Sequence, residues 1–155
     1  MRLKIITVGK RPPRWVQAGF DEFANRMPRH LPLDLVEVSP GAARRSGDVE
    51  RAREQEADAL LAAAGSSRLI ALDEQGVGWT TRDLAARFEG FMQAGGDVAF
   101  LVGGADGLAD RCRQQAAHVW SLSALTLPHL LVRVVLAEQL YRAFTLLDGH
   151  PYHRD

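Results

Sequence analysis

The sequence predicts an α/β fold with a mostly parallel sheet and helices on both faces. Two observations carry this. Short apolar runs of β character alternate with longer stretches of helical periodicity from one end of the chain to the other. Strands separated by helices pair in parallel, and a parallel sheet needs cover on both sides. A third observation sets the scale. No repeat, low-complexity tract or break in composition divides the 155 residues, so one domain over 1–155 is expected.

The elements follow in order. "LKIITVG" (3–9) reads as a buried strand, and "PRWVQAGFDEFANRM" (13–27) as a helix with Pro13 near its start. "LDLVEVS" (33–39) alternates as a second strand. "PGAARRSG" (40–47) reads as a mobile basic loop. Asp48 caps a helix that runs to about Ala64, and Gly65 stops it. "RLIALD" (68–73) is a third strand, followed by a loop, "EQGVGW" (74–79). Thr80 or Thr81 caps a helix through Ala94, ended by Gly95 and Gly96. "DVAFLVG" (97–103) is a fourth strand, and "GADG" leads into a short helix near 108–117. "HVWSLS" (118–123) is a fifth strand. Pro128 opens a long helix to about Leu147, and "GHPYHRD" follows as a tail.

Composition narrows the class. An apolar fraction of 46% with 25% charged residues is that of an ordinary globular protein. No run of about 18 apolar residues exists to span a membrane. The start, "MRLKIITVGKRPP", lacks the apolar length and cleavage site of a signal peptide. The lone Cys112 fits a reducing cytoplasm. Net charge is zero but segregated. Residues 1–53 hold 11 Lys/Arg against 6 Asp/Glu, and residues 54–110 hold 3 against 10. Either one face is positive and attracts a polyanion, or the variation is that of any surface.

Three constellations carry possible chemistry. In parallel sheets the ligand site lies at the loops leaving the strands' carboxyl ends, here those after Leu72, Val102 and Leu122. "LVGGADG" (101–107) places Gly103, Gly104 and Gly107 between a strand and a helix. It is neither a dinucleotide fingerprint nor a Walker loop, and reads as a ligand loop or a plain tight turn. In "SLSALTLPHLLVRVVLAEQLYRAFTLL" (121–147), His129 and Arg133 share one helix face near its start. Cations there oppose the helix dipole by about a few tenths of a kcal/mol, which a bound phosphate would reverse. The alternative is a solvated Arg133 and a neutral His129. Glu138 and Arg142 form an i,i+4 pair. In the tail, Tyr152 can stack on a base and Arg154 can pair with phosphate. His150 and His153 lack the companions of a zinc site, so no metal is expected. Trp15, Trp79 and Trp120 read as core or interface aromatics, and His30 and His118 as structural.

"LVGGADG", then "WSLSALTLPHLLVRVVLAEQLYRAF", then a terminal "PYHR" together resemble the ribosomal large subunit pseudouridine methyltransferase H family, a branch of the SPOUT methyltransferases. "LKIITVGKRPPRWVQAGFDEFANRM" and "IALDEQG" extend the resemblance over essentially the whole chain. It implies an α/β-knot with a C-terminal trefoil knot, a homodimer, and S-adenosylmethionine as methyl donor. The reaction implied is methylation of N3 of a pseudouridine in 23S rRNA, on the assembled 70S ribosome in the cytoplasm. Family cofactor contacts would fall on Leu72, Gly104, Ser123, Ala124, Leu125, Thr126, Leu127 and Pro128. His129, Arg133 and Arg142 would meet the RNA. Tyr152, His153 and Arg154 would act at the base, completing the partner subunit's site. There Arg154 favours the base's anion and His153 takes its proton. Leu130 stands where the family also accepts proline, and Ala105 is a variable position. A tRNA methyltransferase of the same superfamily and a non-catalytic ribosome-binding module are the competing readings.

Overall fold

The computed structural model describes residues 1–154. Five strands form one wholly parallel sheet. They are β1 (Leu3–Val8), β2 (Leu33–Val38), β3 (Arg68–Gly78), β4 (Val98–Val102) and β5 (His118–Ser121), in the spatial order β2-β1-β4-β3-β5. The helices are α1 (Arg14–Ala24), α2 (Val49–Ala64), α3 (Thr81–Ala94), α4 (Asp110–Gln115) and α5 (His129–Asp148). Short 3₁₀ helices cover Ala42–Ser46 and Pro151–Arg154.

The period-2 pattern of the strands sorts their side chains between two layers. Leu3 and Ile5 of β1, with Ile70, Phe100 and Trp120, face α1, α3 and α5 through Phe20, Phe88, Leu136 and Leu140. Ile6 and Val8, with Ala71 and Leu101, face α2 and α4 through Ala57, Leu60 and Cys112. Both faces are therefore covered, as the alternation of elements requires. Among the described residues, no helix is long and apolar enough to cross a membrane.

The helix ends follow their capping chemistry. The Asp48 carboxylate accepts from Arg51 N at 3.1 Å to start α2. Thr80 and Asp83 cap α3 reciprocally, so Thr80 and not Thr81 is the cap. Two segments differ from their sequence reading. "EQGVG" is not a loop: it continues β3, and after an irregularity Val77 and Gly78 pair with Trp120 and Ser121. A Cβ at Gly76 would lie 2.7 Å from the Val119 carbonyl oxygen, so only glycine lets this segment cross β5 so closely. Residues 40–47, expected to be a mobile loop, are instead pinned. The buried Glu56 carboxylate accepts from Gly41 N at 2.8 Å and from Arg44 Nε and Nη2 at 2.7 Å each.

Two of the three tryptophans pack. Trp79 stacks on Trp120 at 4.8 Å, with His118 edge-on to it and Arg87 over its other face. Trp15 does not join them and is 61% exposed.

Candidate functional site

The irregular middle of β3 and the carboxyl ends of β4 and β5 open into one cavity of about 690 Å³. That size suits a small organic ligand, for which sites run from roughly 300 to 1,000 Å³. The irregular stretch of β3, the loops after β4 and β5 and the first turn of α5 wall it, with Arg53 of α2 at its edge.

Each segment is held by bonds that its own residues supply. At the irregularity within β3, Asp73 accepts from Gln75 N at 2.8 Å and pairs with Arg113 at 3.0 Å. Glu74 accepts from the Thr126 hydroxyl at 3.0 Å, tying this stretch of β3 to the loop that follows β5. After β4, Gly107 N donates to the Gly104 carbonyl at 3.0 Å and closes a tight turn, with Gly107 in the left-handed region at φ 76°. Bare backbone is required here. A Cβ on Gly103 would fall 2.5 Å from the Gly107 carbonyl carbon, and one on Gly104 would press on Val8 at 3.3 Å. After β5, the Ser121 hydroxyl donates to Ser123 O at 3.0 Å, and Leu125 N donates to Ser123 Oγ at 2.9 Å. That turn presents Leu125, which is 72% exposed, beside Thr126 and Leu127.

The residues singled out by sequence divide into three places. Leu72, Gly104, Ser123, Leu125, Thr126, Leu127 and His129 line the cavity. Ala124 and Pro128 lie in the same loop but not on its wall, and Pro128 caps α5. Burial and the neighbouring Arg133 lower the His129 pKa, so its imidazole is neutral at pH 7. Arg133 points elsewhere. It is fully buried, 3.0 Å from Glu37 of β2, and its Nε and Nη2 have no partner among the described residues.

The third place is the other end of α5. Arg142 Nε donates to Glu138 Oε1 at 2.8 Å, and the guanidinium lies 5.0 Å from the Tyr152 ring centroid. The Tyr152 hydroxyl donates to Glu138 at 3.2 Å, and its ring meets Tyr141 edge-on at 4.8 Å. Burial and the Glu138 charge raise the Tyr152 pKa, which keeps the phenol protonated. His153 holds a buried Nδ1 with no partner among the described residues. At a rise of 1.5 Å per residue, His129 and Arg142 stand ~20 Å apart along α5. The tail therefore packs far from the cavity of its own chain.

Sequence reasoning missed the support beneath the glycine turn. Arg44 pairs with Asp106 in that turn as well as with Glu56, and Arg53 Nη1 reaches the Asp106 carbonyl at 3.4 Å. The signal was present in α2. Ala52, Glu56 and Leu60 recur at i, i+4 and i+8 and are all buried, so an acid stands on an apolar stripe. Among the described residues, no group of three or more His, Cys, Asp or Glu is placed to hold a metal.

Leu72, Val102, Leu122 and Leu127 offer apolar walls, the bare glycine turn offers backbone groups, and the charged lining is mixed, with Glu74 and Asp106 beside Arg53 and the Asp73–Arg113 pair.

The profile of the family described as "Predicted SPOUT methyltransferase" matches residues 1–153. The chain is 50% identical over 155 residues to a Methylococcus capsulatus protein named Ribosomal RNA large subunit methyltransferase H, covering 99% of this chain and 100% of that one. A Hahella chejuensis protein of the same name is 49% identical over 156 residues, with full coverage of both chains. Among solved structures, a probable methylase family protein from Haemophilus influenzae Rd KW20 aligns at a TM-score of 0.60 and 13% identity, over 97% of this chain and 69% of that one. A probable methyltransferase from Bordetella pertussis Tohama I aligns at 0.58 and 19%, over 92% and 95%. At these identities the structural likeness is one of fold.

Proposed function

The chain belongs to the SPOUT methyltransferase family, and from that premise we propose that it methylates 23S rRNA, at N3 of a pseudouridine, with S-adenosylmethionine as donor. The observation that carries this reading is the glycine-floored cavity at the middle of β3 and the ends of β4 and β5, within a fold matched over residues 1–153. The working form is a homodimer of single-domain chains with a trefoil-knotted C-terminal region, acting on the 70S ribosome in the cytoplasm.

S-adenosylmethionine supplies an electrophilic methyl group, so no metal is required. Leu72, Gly104, Ser123, Leu125, Thr126 and Leu127 would hold it, in a loop to which Ala124 and Pro128 also belong. The Glu74–Thr126 bond keeps two walls of that site together. A neutral His129 at the cavity wall can donate or accept a hydrogen bond toward the incoming base. Arg133, braced by Glu37, keeps positive charge beneath the first turns of α5.

N3 of pseudouridine is an imide nitrogen and must lose a proton before it attacks. Tyr152, His153 and Arg154 are the groups for that step. In this reading Arg154 favours the anionic base and the His153 imidazole takes the proton. The ~20 Å between a chain's tail and its own cavity supports delivery to the other subunit's site. A symmetric dimer then builds two complete sites.

The test is methylation of 70S ribosomes, separated subunits and free 23S rRNA, with mass mapping of the product nucleotide. Methyl on a pseudouridine base, with 70S particles preferred, is the expected result. Methyl on a ribose, or on tRNA alone, overturns the assignment.

A further inference from the structure

We propose that the loop leaving β1, residues 9–15, is an RNA-docking element that lays the target strand along the rim of the cofactor cavity. The inference rests on the ribosomal RNA reading above and brings in residues that reading does not use.

Position comes first. Val8, the last residue of β1, is the neighbour that a Cβ on Gly104 would touch at 3.3 Å. The loop therefore begins beside the floor of the cavity. The carboxyl end of β1 is in register with that of β4, with Thr7 opposite Val102.

Charge is the second observation. Lys10, Arg11 and Arg14 fall within five residues, and no acid occurs from residue 8 to residue 20. None of the three has a carboxylate partner among the described residues. Elsewhere, Arg2, Arg26, Arg44, Arg53, Arg111 and Arg113 are all ion-paired. These three cations thus form an unneutralised cluster at the cavity end of the sheet. Arg14 also opens α1, whose first turn holds no acid, so the helix's positive end adds to the attraction for phosphate.

Conformation is the third. Arg11 has φ 59°, the only positive φ at a non-glycine among the described residues. An arginine in the left-handed region is held at an energetic cost, and such outliers gather where geometry serves binding. Pro12 and Pro13 follow it and stiffen the loop. The fourth observation is Trp15, the most exposed aromatic of the described chain at 61%. A bare indole beside three cations matches an unpaired nucleotide strand, with phosphates on the cations and a base on the ring.

The test uses the full-length protein in two main variants, with Arg11→Gly alone as a folding control. One is the triple substitution Lys10→Gln/Arg11→Gly/Arg14→Gln, and the other is Trp15→Ala. Binding to 70S ribosomes from a strain lacking the methylation is measured across salt concentrations, beside calorimetric titration of S-adenosylmethionine, sedimentation and thermal melting. The triple variant should bind ribosomes about tenfold or more weakly, and its log K against log salt slope should shrink by about 2–3. Trp15→Ala should weaken binding about tenfold with the slope kept. Cofactor affinity, melting and methyl transfer at saturating ribosomes should stay at wild-type levels. Arg11→Gly alone should melt no lower than wild type while losing affinity, which separates docking from folding. Unchanged affinity and slope in both variants, with wild type binding normally, would overturn the proposal. So would a Trp15→Ala protein that loses dimers yet binds ribosomes normally, because the surface would then serve self-association. A wild-type protein that neither binds nor methylates ribosomes brings down the ribosomal RNA reading itself, which the variants' affinities alone cannot do.

Discussion

Single side chains decide whether the cavity keeps its shape. Glu56 is 2% exposed and depends on Arg44 for its neutralisation. Truncation by Arg44→Ala leaves a buried carboxylate with only the Gly41 N–H and frees Asp106 in the glycine turn. It should cost ~3 kcal/mol in chemical denaturation and weaken S-adenosylmethionine binding measured by calorimetry. The pH dependence has a definite sign. Burial acts to raise the Glu56 pKa, but bonds from Arg44 and Gly41 outweigh it and hold the carboxyl below its ordinary value near 4.5. The unfolded chain therefore takes up this proton first as pH falls. The stabilisation is complete above pH 4.5 and is lost as pH drops through the lowered value. Glu56→Gln should flatten that acid limb in urea titrations run from pH 6 to about pH 3. At Gly76, a methyl group would sit 2.7 Å from the Val119 carbonyl oxygen. Gly76→Ala should lower stability by ~2 kcal/mol through displacement of the end of β3, read by the same denaturation.

At the level of elements, five strands and five helices were legible from apolar periodicity and capping chemistry. What was hidden depends on distant partners. "EQGVG" is polar and glycine-rich, and it becomes strand only because β5 lends it an edge. "PGAARRSG" looks mobile until Glu56, more than a helical turn beyond it in sequence, folds back onto it. His129 and Arg133 share a helical spacing, yet the first opens on the cavity and the second is sealed against Glu37. Spacing gives the face of a helix but not what covers each turn of it. The tail is the element with the sharpest test. Deleting 151–155 should abolish methyl transfer in a single-turnover assay while melting and S-adenosylmethionine binding stay near wild type. A truncated protein that methylates normally would reduce the tail to a terminus. Asp155, included in that deletion, lies outside the described residues.

In the whole molecule, cavity and tail are held ~20 Å apart along α5. In the proposed homodimer, a second chain brings together a cavity and a tail that lie at opposite ends of α5 in each chain. Mixing a tail-deleted protein with a Gly104→Val protein should therefore restore activity that neither has alone. With free subunit exchange, half the dimers are mixed and each carries one intact site, so about a quarter of wild-type activity should return. A mixture that stays inactive despite confirmed exchange would place tail and cavity of one chain in the same site.

The 20 residues of α5 then act as a ruler. Its first turn borders the cavity, and Glu138, Tyr141 and Arg142 seat the tail. Adding or deleting one residue between His129 and Glu138 would swing the tail about 100° around the helix axis and shift it about 1.5 Å along it. The apolar stripe against α1 and α3 would lose its register in the same stroke. Substitutions can therefore accumulate along this helix in descendants of the sequence, while its length is expected to resist change far more strongly than its composition.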